Sequence, residues 1–394
     1  MKQKILIIGA SVLQLPAIKK AKEMGLEVAV ADYNPEAVGI EYADRYFNAS
    51  TIDIDAIVKI AREYKPDGIM TLATDMPMRS IAAATQAIDI PGISMDSAIK
   101  STDKIEMIKA FKAADVACPW CFEVSSLEEL ELIRENISYP CIFKPADNSG
   151  SRGVIKVSAP DELYESYRYS VEQSRNGKII IEECLVGDEV SVEIITYNGI
   201  PHVLQVTDKL TTGAPYFVEM GHSQPSKFSG NLLKQISDLA IEAVRAVGIK
   251  NSPAHVEMMI TSEGPKMIEI GARMGGDCIT THLVPLSTGI DMIKAAIDIS
   301  LGKEPDLTKK FEKGSAIRYF NVDPGIISHI SGIESIENIS SIREIIFTKK
   351  PGDEIKPIHS SLDRAGMIIC QAEDRKKAIE ECEKAIKQIV FQTN

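Results

Sequence analysis

The sequence predicts an α/β protein whose C-terminal part becomes α+β. Two observations indicate this class: strand-like apolar runs alternate with helical patterns in the N-terminal part, and beyond residue 310 short strand-like runs precede a final helix. The chain has 394 residues, 44% hydrophobic and 25% charged. This length and composition are typical of a globular protein of about two to three domains.

The composition also excludes several classes of partner. The net charge of -12 comes without a basic tract, which disfavours nucleic acid and anionic membranes. No apolar run approaches the ~18 residues of a membrane span, and the N-terminus begins as a strand without a signal-peptide cleavage site. Seven cysteines, an odd number, fit a reducing compartment. The sequence therefore predicts a cytoplasmic protein.

Cys118 and Cys121 have the spacing of a redox dithiol. A redox pair needs its first thiol at a helix N-terminus, whereas the residues that follow Cys121 are extended in pattern. No second Cys/His pair offers the four ligands of a structural zinc. Ordinary buried cysteines are the favoured interpretation.

A strand–helix–strand unit opens the chain, with strands at 5–8 and 28–32 around a helix at 15–24. This alternation predicts a parallel, doubly wound sheet. Asp32 resembles the acid that binds ribose in dinucleotide folds, but of the three glycines of that fingerprint only Gly9 is present. After a helix at 57–64 and a strand at 69–73, the segment 74–77 lies where ligands usually bind, beyond the carboxyl end of a strand.

The next segment contains a glycine-bearing loop between two strands. Helices are predicted over 96–114 and 127–136, and a strand over 139–145 includes Lys144. The loop 146–157 that follows contains two glycines and can close its backbone amides over an anion. It predicts a hairpin lid over phosphates, with a plain surface turn as the alternative. It does not match the phosphate-binding loop of P-loop proteins.

A buried strand is predicted at 179–185, and Glu182 and Glu183 lie near its end. Such a strand end suits a purine nucleotide, because backbone groups can pair with the adenine edge and a carboxylate can bind the ribose hydroxyls. Solvated surface acids are the alternative. Further elements are a helix at 161–173, a strand at 190–197 and a helix at 231–247. Between the last two, residues 207–222 are predicted to be irregular, and loops of that length are often functional.

Two apolar strands, 254–260 and 267–270, flank a turn at 262–265. Each strand holds one acid, so Glu257 and Glu269 are expected to face each other across an antiparallel ladder. Such a pair either shifts its protonation or holds a cation. Mg²⁺ fits best, since it usually takes one or two carboxylates together with water and substrate phosphates. A surface hairpin with solvated acids is the alternative. The chain ends with a helix at 291–301, strands at 316–322, 345–348 and 365–371, and a helix at 375–390.

These motifs, in this order, resemble the ATP-grasp superfamily of carboxylate–amine ligases over essentially the whole chain. They are Lys104 at a helix start, Lys144 in Phe-Lys-Pro, the loop Ser149-Gly150-Ser151-Arg152-Gly153, Glu182-Glu183-x-Leu185 followed by Glu189, and Glu257 with Glu269 and Arg273. Segments 216–222 and 269–276, and the C-terminal strand and helix from Asp363 onwards, further resemble bacterial L-amino-acid (dipeptide) ligases.

The resemblance implies an ATP-grasp fold preceded by a Rossmann-like parallel-sheet N-terminal domain. The expected division is 1–98 for the N-terminal domain, 99–310 for the ATP-grasp domain and 311–394 for a closing α+β subdomain. A lid near 148–154 and a metal hairpin at 254–273 belong to the middle part. Gly271 departs from the family, because many members carry Asn there as a further metal ligand.

The resemblance also implies the chemistry: ATP phosphorylates a carboxylate, and an amine attacks the acylphosphate to give an amide, ADP and phosphate. Arg273 is the expected catalytic residue, and Glu257 and Glu269 are the ligands of Mg²⁺, with Mn²⁺ as an alternative ion. Small-molecule carboxylate and amine substrates and a homodimer are expected. The ATP-binding set is Lys104, Lys144, Ser149, Gly150, Ser151, Gly153, Glu182, Glu183, Leu185 and Glu189. The substrate set is Lys209, Glu219, His222, His255, Gly275, Gly276 and His282, with a structural role as the alternative for each histidine.

Three other functions compete with this reading. A ligase of nucleotide biosynthesis would need a ribosyl-phosphate pocket near Arg79 or Arg318. A regulatory protein that only binds ATP has less need of both metal glutamates and Arg273. An NAD-dependent oxidoreductase would rest only on the first strand–helix–strand unit.

Overall fold

The computed structural model describes residues 2–148, 152–214 and 216–394. Its strands, in chain order, are β1 Lys4–Ile8, β2 Glu27–Asp32, β3 Arg45–Asn48, β4 Gly68–Met70, β5 Cys121–Val124, β6 Cys141–Pro145, β7 Ile155–Val157, β8 Ile179–Glu183, β9 Asp188–Tyr197, β10 Ile200–Thr211, β11 Glu219–Gln224, β12 Ser252–Thr261, β13 Gly264–Gly271, β14 Gly314–Tyr319, β15 Gly325–Ser331, β16 Ile342–Phe347, β17 Glu354–Ile355, β18 Gly366–Ala372 and β19 Val390–Thr393.

The α-helices, in the same order, are α1 Leu15–Glu23, α2 Ile54–Tyr64, α3 Met78–Ala87, α4 Met95–Lys100, α5 Lys104–Ala113, α6 Leu127–Ile133, α7 Leu163–Glu172, α8 Gly230–Val247, α9 Val284–Thr288, α10 Met292–Ser300, α11 Ile333–Ile336 and α12 Arg375–Ile386. A π-helical turn, Ile279–Leu283, precedes α9. In the part of the chain that the structure describes, no helix is long and apolar enough to cross a membrane.

The N-terminal sheet has the strand order β3-β2-β1-β4, and every neighbouring pair is parallel. This confirms the predicted parallel sheet. Its apolar strands are buried, and Ile7 and Val30 share one core cluster with Met292 and Ile297 of α10. Because that cluster also includes Met274, the N-terminal sheet packs directly beside the segment that follows β13.

Asp32 has a structural role at the end of β2. Its carboxylate accepts hydrogen bonds from the backbone N–H of Ala10 at 2.7 Å and of Asn34 at 2.9 Å. A Cβ added at Gly9 would lie 2.8 Å from the Oε1 atom of Gln14, so side chains of the protein itself fill the β1–α1 loop. The carboxylate of Asp32 thus binds the backbone of its own loop, which argues against the oxidoreductase hypothesis.

A second, four-stranded sheet has the order β5-β8-β6-β7 and is antiparallel. It carries the loop after β6 and the strand β8 that ends in Glu182 and Glu183. Cys121 begins β5, as its extended pattern predicted, and burial raises the pKa of both Cys118 and Cys121. These two thiols therefore lack the depressed pKa of a redox dithiol.

The central sheet has eight antiparallel strands in the order β13-β12-β9-β10-β11-β14-β18-β16. This sheet contains strands from both the predicted middle part and the predicted C-terminal part of the chain, which are joined where β11 pairs with β14. A three-stranded sheet, β17-β15-β19, completes the C-terminal part together with α12.

Two details of the predicted secondary structure are wrong. Residues 207–222 are not irregular throughout, because β10 and β11 pair as antiparallel strands and only 212–218 separate them. The last helix ends at Ile386 instead of 390, and the residues after it form the edge strand β19, which pairs with β15.

Candidate active site

The antiparallel pair β12 and β13 places Glu257 directly opposite Glu269, as the sequence predicted. The ladder shifts register between Glu257 and Met258, so a bulge follows the acidic pair. The two carboxylates remain partly accessible, with 24% and 28% of their side-chain surface exposed. They can therefore meet a ligand from solvent while their backbone is held by the sheet.

Lys104 connects this hairpin to the loop after β6. Its Nζ atom lies 3.0 Å from Oε1 of Glu269 and donates to the carbonyl oxygen of Asn148 at 2.8 Å. Asp103 caps α5 and fixes the position of Lys104 as the first residue of that helix. Burial is the largest single effect and would lower the pKa of Lys104, but the charge and hydrogen bond of Glu269, together with the charges of Asp75 and Glu182, outweigh it and the pKa is raised. The lysine is therefore a permanent cation beside the acidic pair.

Lys209 of β10 makes the second cationic contact of the hairpin. Its Nζ atom lies 2.6 Å from Oε1 of Glu189, 3.1 Å from Oε1 of Glu257 and 3.8 Å from Oε1 of Glu219. Only 2% of its side chain is exposed. Lys209 thus gathers three glutamates from three strands around one buried ammonium.

His255 adds a further cation to this group. Its Nδ1 atom lies 2.7 Å from Glu193 and its Nε2 atom 3.0 Å from Glu257. Burial disfavours its protonated form, yet the two carboxylates raise the pKa of His255 to about 9. At neutral pH the ring is an imidazolium that donates a hydrogen bond from each nitrogen.

The charges in this group suit a hard divalent cation. Four carboxylates (Glu189, Glu193, Glu219 and Glu257) share two cationic side chains, Lys209 and His255. These six residues are called the Lys209 group below. Burial raises the pKa of Glu189, whereas for Glu257 Lys209 and His255 overcome burial and hold the pKa well below its usual range. Among the described residues no group of three or more His, Cys, Asp or Glu could hold a metal by protein ligands alone. The opposed carboxylates of Glu257 and Glu269 therefore fit a Mg²⁺ ion that takes its remaining ligands from substrate phosphates and water.

Lys144 and Glu182 form a buried pair on the neighbouring strands β6 and β8, 2.5 Å apart. Only one oxygen of Glu182 has a partner, and its Oε2 atom is buried without one. Glu183 contacts Lys266 of β13 at 3.2 Å, and Leu185 is half-buried after the end of β8. Glu183 thus connects the end of β8 to the hairpin through Lys266.

Gly153 closes the loop after β6. It adopts a φ of +77°, and a Cβ there would lie 2.7 Å from the ring of Pro145, so only glycine fits. The predicted lid residues Ser149, Gly150 and Ser151 lie outside the described residues.

Arg273 forms a two-bond fork with Asp75, a residue that the sequence reasoning placed only in a ligand-binding loop. Nε donates to Oδ1 at 2.8 Å and the terminal nitrogen Nη2 to Oδ2 at 2.9 Å. Asp75, Glu257 and Glu269 all raise the pKa of Arg273 against the effect of burial. The arginine therefore lies in the field of the acidic pair.

Two glycines follow Arg273 in different environments. A Cβ at Gly275 would lie 2.5 Å from Nδ1 of His255 and 3.0 Å from Oε2 of Glu193, so this position must be glycine. A Cβ at Gly276 would meet nothing closer than 3.9 Å. Gly276 therefore leaves open space beside the backbone.

Two of the predicted substrate histidines have partners outside the Lys209 group. The Nε2 atom of His222 lies 3.2 Å from Asp277, which Arg364 of the C-terminal part binds with two further hydrogen bonds. His282 lies 2.7 Å from Glu344 of β16. The structure thus assigns His282 a contact between the π-helical turn and the far end of the central sheet.

This contact predicts a pH-dependent contribution to stability. Burial would lower the pKa of His282, but Cys278 and Glu344 raise it from 6.5 to about 10. Because the folded state holds the proton more tightly, the contribution is fully present below pH ~6.5 and is lost as the pH rises through ~10. The measurement is the free energy of unfolding in urea at both ends of this pH range. Wild type should lose more of this free energy than His282→Gln as the pH rises, by about 1 kcal/mol. Equal losses in both proteins would contradict the pairing.

Asp75, Glu193, Asp277 and Arg364 are site residues that the sequence reasoning did not assign. Asp75 had a signal, since it follows a strand of a parallel sheet. Glu193 also had one, because it is an acid between the apolar residues Val192 and Ile194 of a strand. Asp277 and Arg364 had none, since their pairing depends on how the C-terminal part folds back.

Comparisons with known proteins agree with this geometry. Residues 137–281 match the ATP-grasp domain, and residues 318–394 match the L-amino acid ligase C-terminal domain 2. The alanine–anticapsin ligase of Bacillus subtilis is 25% identical over 323 residues, which cover 76% of this chain and 67% of that protein. The uncharacterized protein y4rH of Sinorhizobium fredii is 25% identical over 358 residues, 86% of this chain and 72% of that protein.

Other matches differ in extent. The chain spans only 27% of the length of the carbamoyl phosphate synthase large chain of Thermotoga neapolitana. The crystal structure of L-amino acid ligase from Bacillus licheniformis superimposes with a TM-score of 0.87 at 21% identity, covering 100% of this chain and 99% of that one. The predicted fold and family are confirmed. The chain carries an ATP-grasp domain over residues 137–281 and the C-terminal domain of L-amino acid ligases over residues 318–394, and it is a ligase that uses ATP and Mg²⁺ to form C–N bonds.

Proposed function

We propose that this ligase joins the carboxylate of one amino acid to the amine of another. The observation that carries the proposal is the opposed pair Glu257 and Glu269 with Lys104 beside it and Arg273 four residues further on. This arrangement concentrates charge where a phosphoryl group would be transferred, and phosphoryl transfer needs positioning and charge neutralisation more than covalent help.

In the first step a carboxylate oxygen of the substrate attacks the γ-phosphorus of ATP, the bond to the bridging oxygen breaks, and ADP leaves. Lys104 and Lys144 bind the α and β phosphates. The sequence motif makes the segment 148–154, of which residues 149–151 lie outside the described residues, the proposed lid for the β and γ phosphates. Glu257 and Glu269 would hold Mg²⁺, and a bound Mg²⁺ would supply charge neutralisation to the transferring group. Excluding water is necessary here, because an exposed acylphosphate would hydrolyse.

In the second step the amine attacks the acylphosphate carbon, phosphate leaves, and a proton is lost from nitrogen. Arg273 binds the acylphosphate or the tetrahedral species that follows it, since a guanidinium matches paired phosphate oxygens. The purine lies against the strand edge at Glu182, Glu183 and Leu185, and Glu189 meets the ribose.

The acceptor pocket is proposed to lie around Lys209, Glu219 and His255, where the backbone of Gly275 and Gly276 lets substrate approach closely. His222 belongs at its margin, whereas His282 is not included, because it pairs with Glu344 at the far end of the central sheet. We propose the division of the chain at 98 and 310, a homodimer, and a cytoplasmic location on the same grounds as the sequence predictions.

The geometry does not favour a ribosyl-phosphate substrate. Arg318 is buried and donates to the carbonyl oxygen of His222, to Ser223 and to Glu383. Arg79 donates to Thr102 at 2.9 Å. The guanidinium of Arg318 is thus engaged within the protein through all three nitrogens, and that of Arg79 through its Nε.

The proposal is tested by phosphate release from ATP and Mg²⁺ with amino acids supplied singly and in pairs. We expect release that requires one particular pair and a product mass equal to that pair minus water. Release without any such product, or with a sugar phosphate instead of an amino acid, would contradict the proposed substrate class. The Glu269→Gln variant is the control for contaminating ATPases.

A further inference from the structure

Asp75 lies in the loop between β4 and α3, far in sequence from the hairpin that it contacts. Both of its carboxylate oxygens accept hydrogen bonds from Arg273, 198 residues away. Only 15% of the Asp75 side chain and 16% of the Arg273 side chain are exposed. A two-bond fork with little exposure holds a guanidinium in one orientation, which an exposed single contact does not.

The fork with Asp75 uses only some of the N–H donors of Arg273. A guanidinium has five N–H donors. Two donate to Asp75 and one, on Nη1, donates to the carbonyl oxygen of Met274 at 3.3 Å. Among the residues that the structure describes, the other two donors, one on each terminal nitrogen, have no partner and are available to a ligand. Two donors on adjacent nitrogens suit the paired oxygens of a phosphoryl group.

Gly271 provides an independent sign that the fork is built into the site. A Cβ at this position would lie 2.6 Å from Oδ1 of Asp75 and 3.2 Å from Nε of Arg273. Any larger residue would displace the carboxylate from the arginine. Asp75 thus fills the space beside β13 into which a longer side chain at 271 would otherwise project.

We propose that Asp75 is the positioning residue of Arg273, and that Gly271 is glycine to admit its carboxylate. The inference rests on the proposed function, because it concerns the orientation of Arg273 toward the acylphosphate. The N-terminal sheet thereby contributes to the reaction: it carries Asp75 at the end of β4 and so sets the direction of the two free N–H groups. Asp75 acts through Arg273 and contacts no reacting atom.

A double-mutant cycle between Asp75→Asn and Arg273→Met tests this inference. With the substrate pair found above, Asp75→Asn should lower kcat for amide formation by between about tenfold and a hundredfold. The KM for ATP should change by less than about twofold, because phosphate binding does not depend on the fork. In the Arg273→Met background, Asp75→Asn should lower kcat by less than about twofold.

Two further variants keep the test decisive if one protein is poorly folded. Gly271→Ala should reproduce the loss in kcat by pushing the carboxylate away, and Asp75→Glu should retain more activity than Asp75→Asn. Asp44→Asn, which removes a carboxylate paired with Lys22 at 2.6 Å in the same part of the chain, should leave kcat unchanged. Thermal unfolding of each variant is the control for folding.

The outcomes separate this inference from the proposed function. Losses that multiply in the double variant, or a normal kcat for Asp75→Asn, would overturn the positioning role while leaving the ligase proposal intact. A normal kcat for Arg273→Met would instead overturn the role of Arg273 in the proposed function.

Discussion

Replacing Glu269 by glutamine is expected to abolish ATP turnover. The variant keeps the shape of the side chain but removes the charge that faces Glu257 and binds Lys104 at 3.0 Å. With one carboxylate left, the hairpin would hold Mg²⁺ poorly and the transferring phosphoryl group would lose its charge compensation. Phosphate release should fall by at least about a hundredfold, while the circular dichroism spectrum should remain that of wild type.

A matched control comes from the same hairpin. Glu263 lies in its turn, with 75% of its side chain exposed and an ion pair to Lys266. Glu263→Gln should therefore retain normal turnover, because exposed pairs contribute little and this one lies away from the acidic pair. Turnover of Glu269→Gln at the wild-type rate would end the assignment of Glu257 and Glu269 as metal ligands.

The elements that sequence patterns predicted well are those whose pattern reflects one simple environment. In β12 and β13 the acids interrupt apolar runs at fixed positions around a short turn, and the period of two along a strand then determines which residues face each other. The parallel sheet was predictable for a similar reason, since its strands are buried on both faces and read as continuous apolar runs.

The prediction failed where a strand faces the site itself. The strand β10 contains Asp208, which is buried, and Lys209, whose side chain is only 2% exposed, and its partner β11 contains Glu219 and His222. Charged residues on both faces of β10 conceal the alternation that would mark a strand, because Lys209 contacts the glutamates of the site while Asp208 pairs with Arg375 of α12. A site built on strands therefore looks like a loop in the sequence.

The sequence also could not predict which side chains that lie far apart in the chain contact each other. Lys104 contacts Glu269 across 165 residues, and Asp75 contacts Arg273 across 198. Each residue could be recognised by its type and its place next to a strand or helix end, but the choice of partner depends on how the sheets pack through α10. The same limit applies to Arg364, whose fork with Asp277 joins the C-terminal part to the site.

Replacing Arg273 by methionine is expected to spare ATP binding and remove ligation. Methionine preserves much of the volume but offers no N–H donor to phosphate oxygens. The lost transition-state stabilisation should be about 3 kcal/mol, equivalent to a hundredfold or greater decrease in amide formation. Isothermal calorimetry of ATP binding with Mg²⁺ and the rate of product formation measure the two effects separately. Arg134→Met, at an exposed arginine of a surface turn, is the control for the loss of a positive charge.

A single-turnover experiment then distinguishes the two steps at which Arg273 can act. If the arginine stabilises phosphoryl transfer, ADP formation and amide formation should slow by the same factor. If it stabilises the tetrahedral species, ADP should still form at the wild-type rate while amide formation falls, because the acylphosphate accumulates or hydrolyses. An unchanged rate of both steps would show that the role is misplaced. The fork with Asp75 predicts that Asp75→Asn follows the same pattern as Arg273→Met, with smaller factors, because it loosens the guanidinium without removing it.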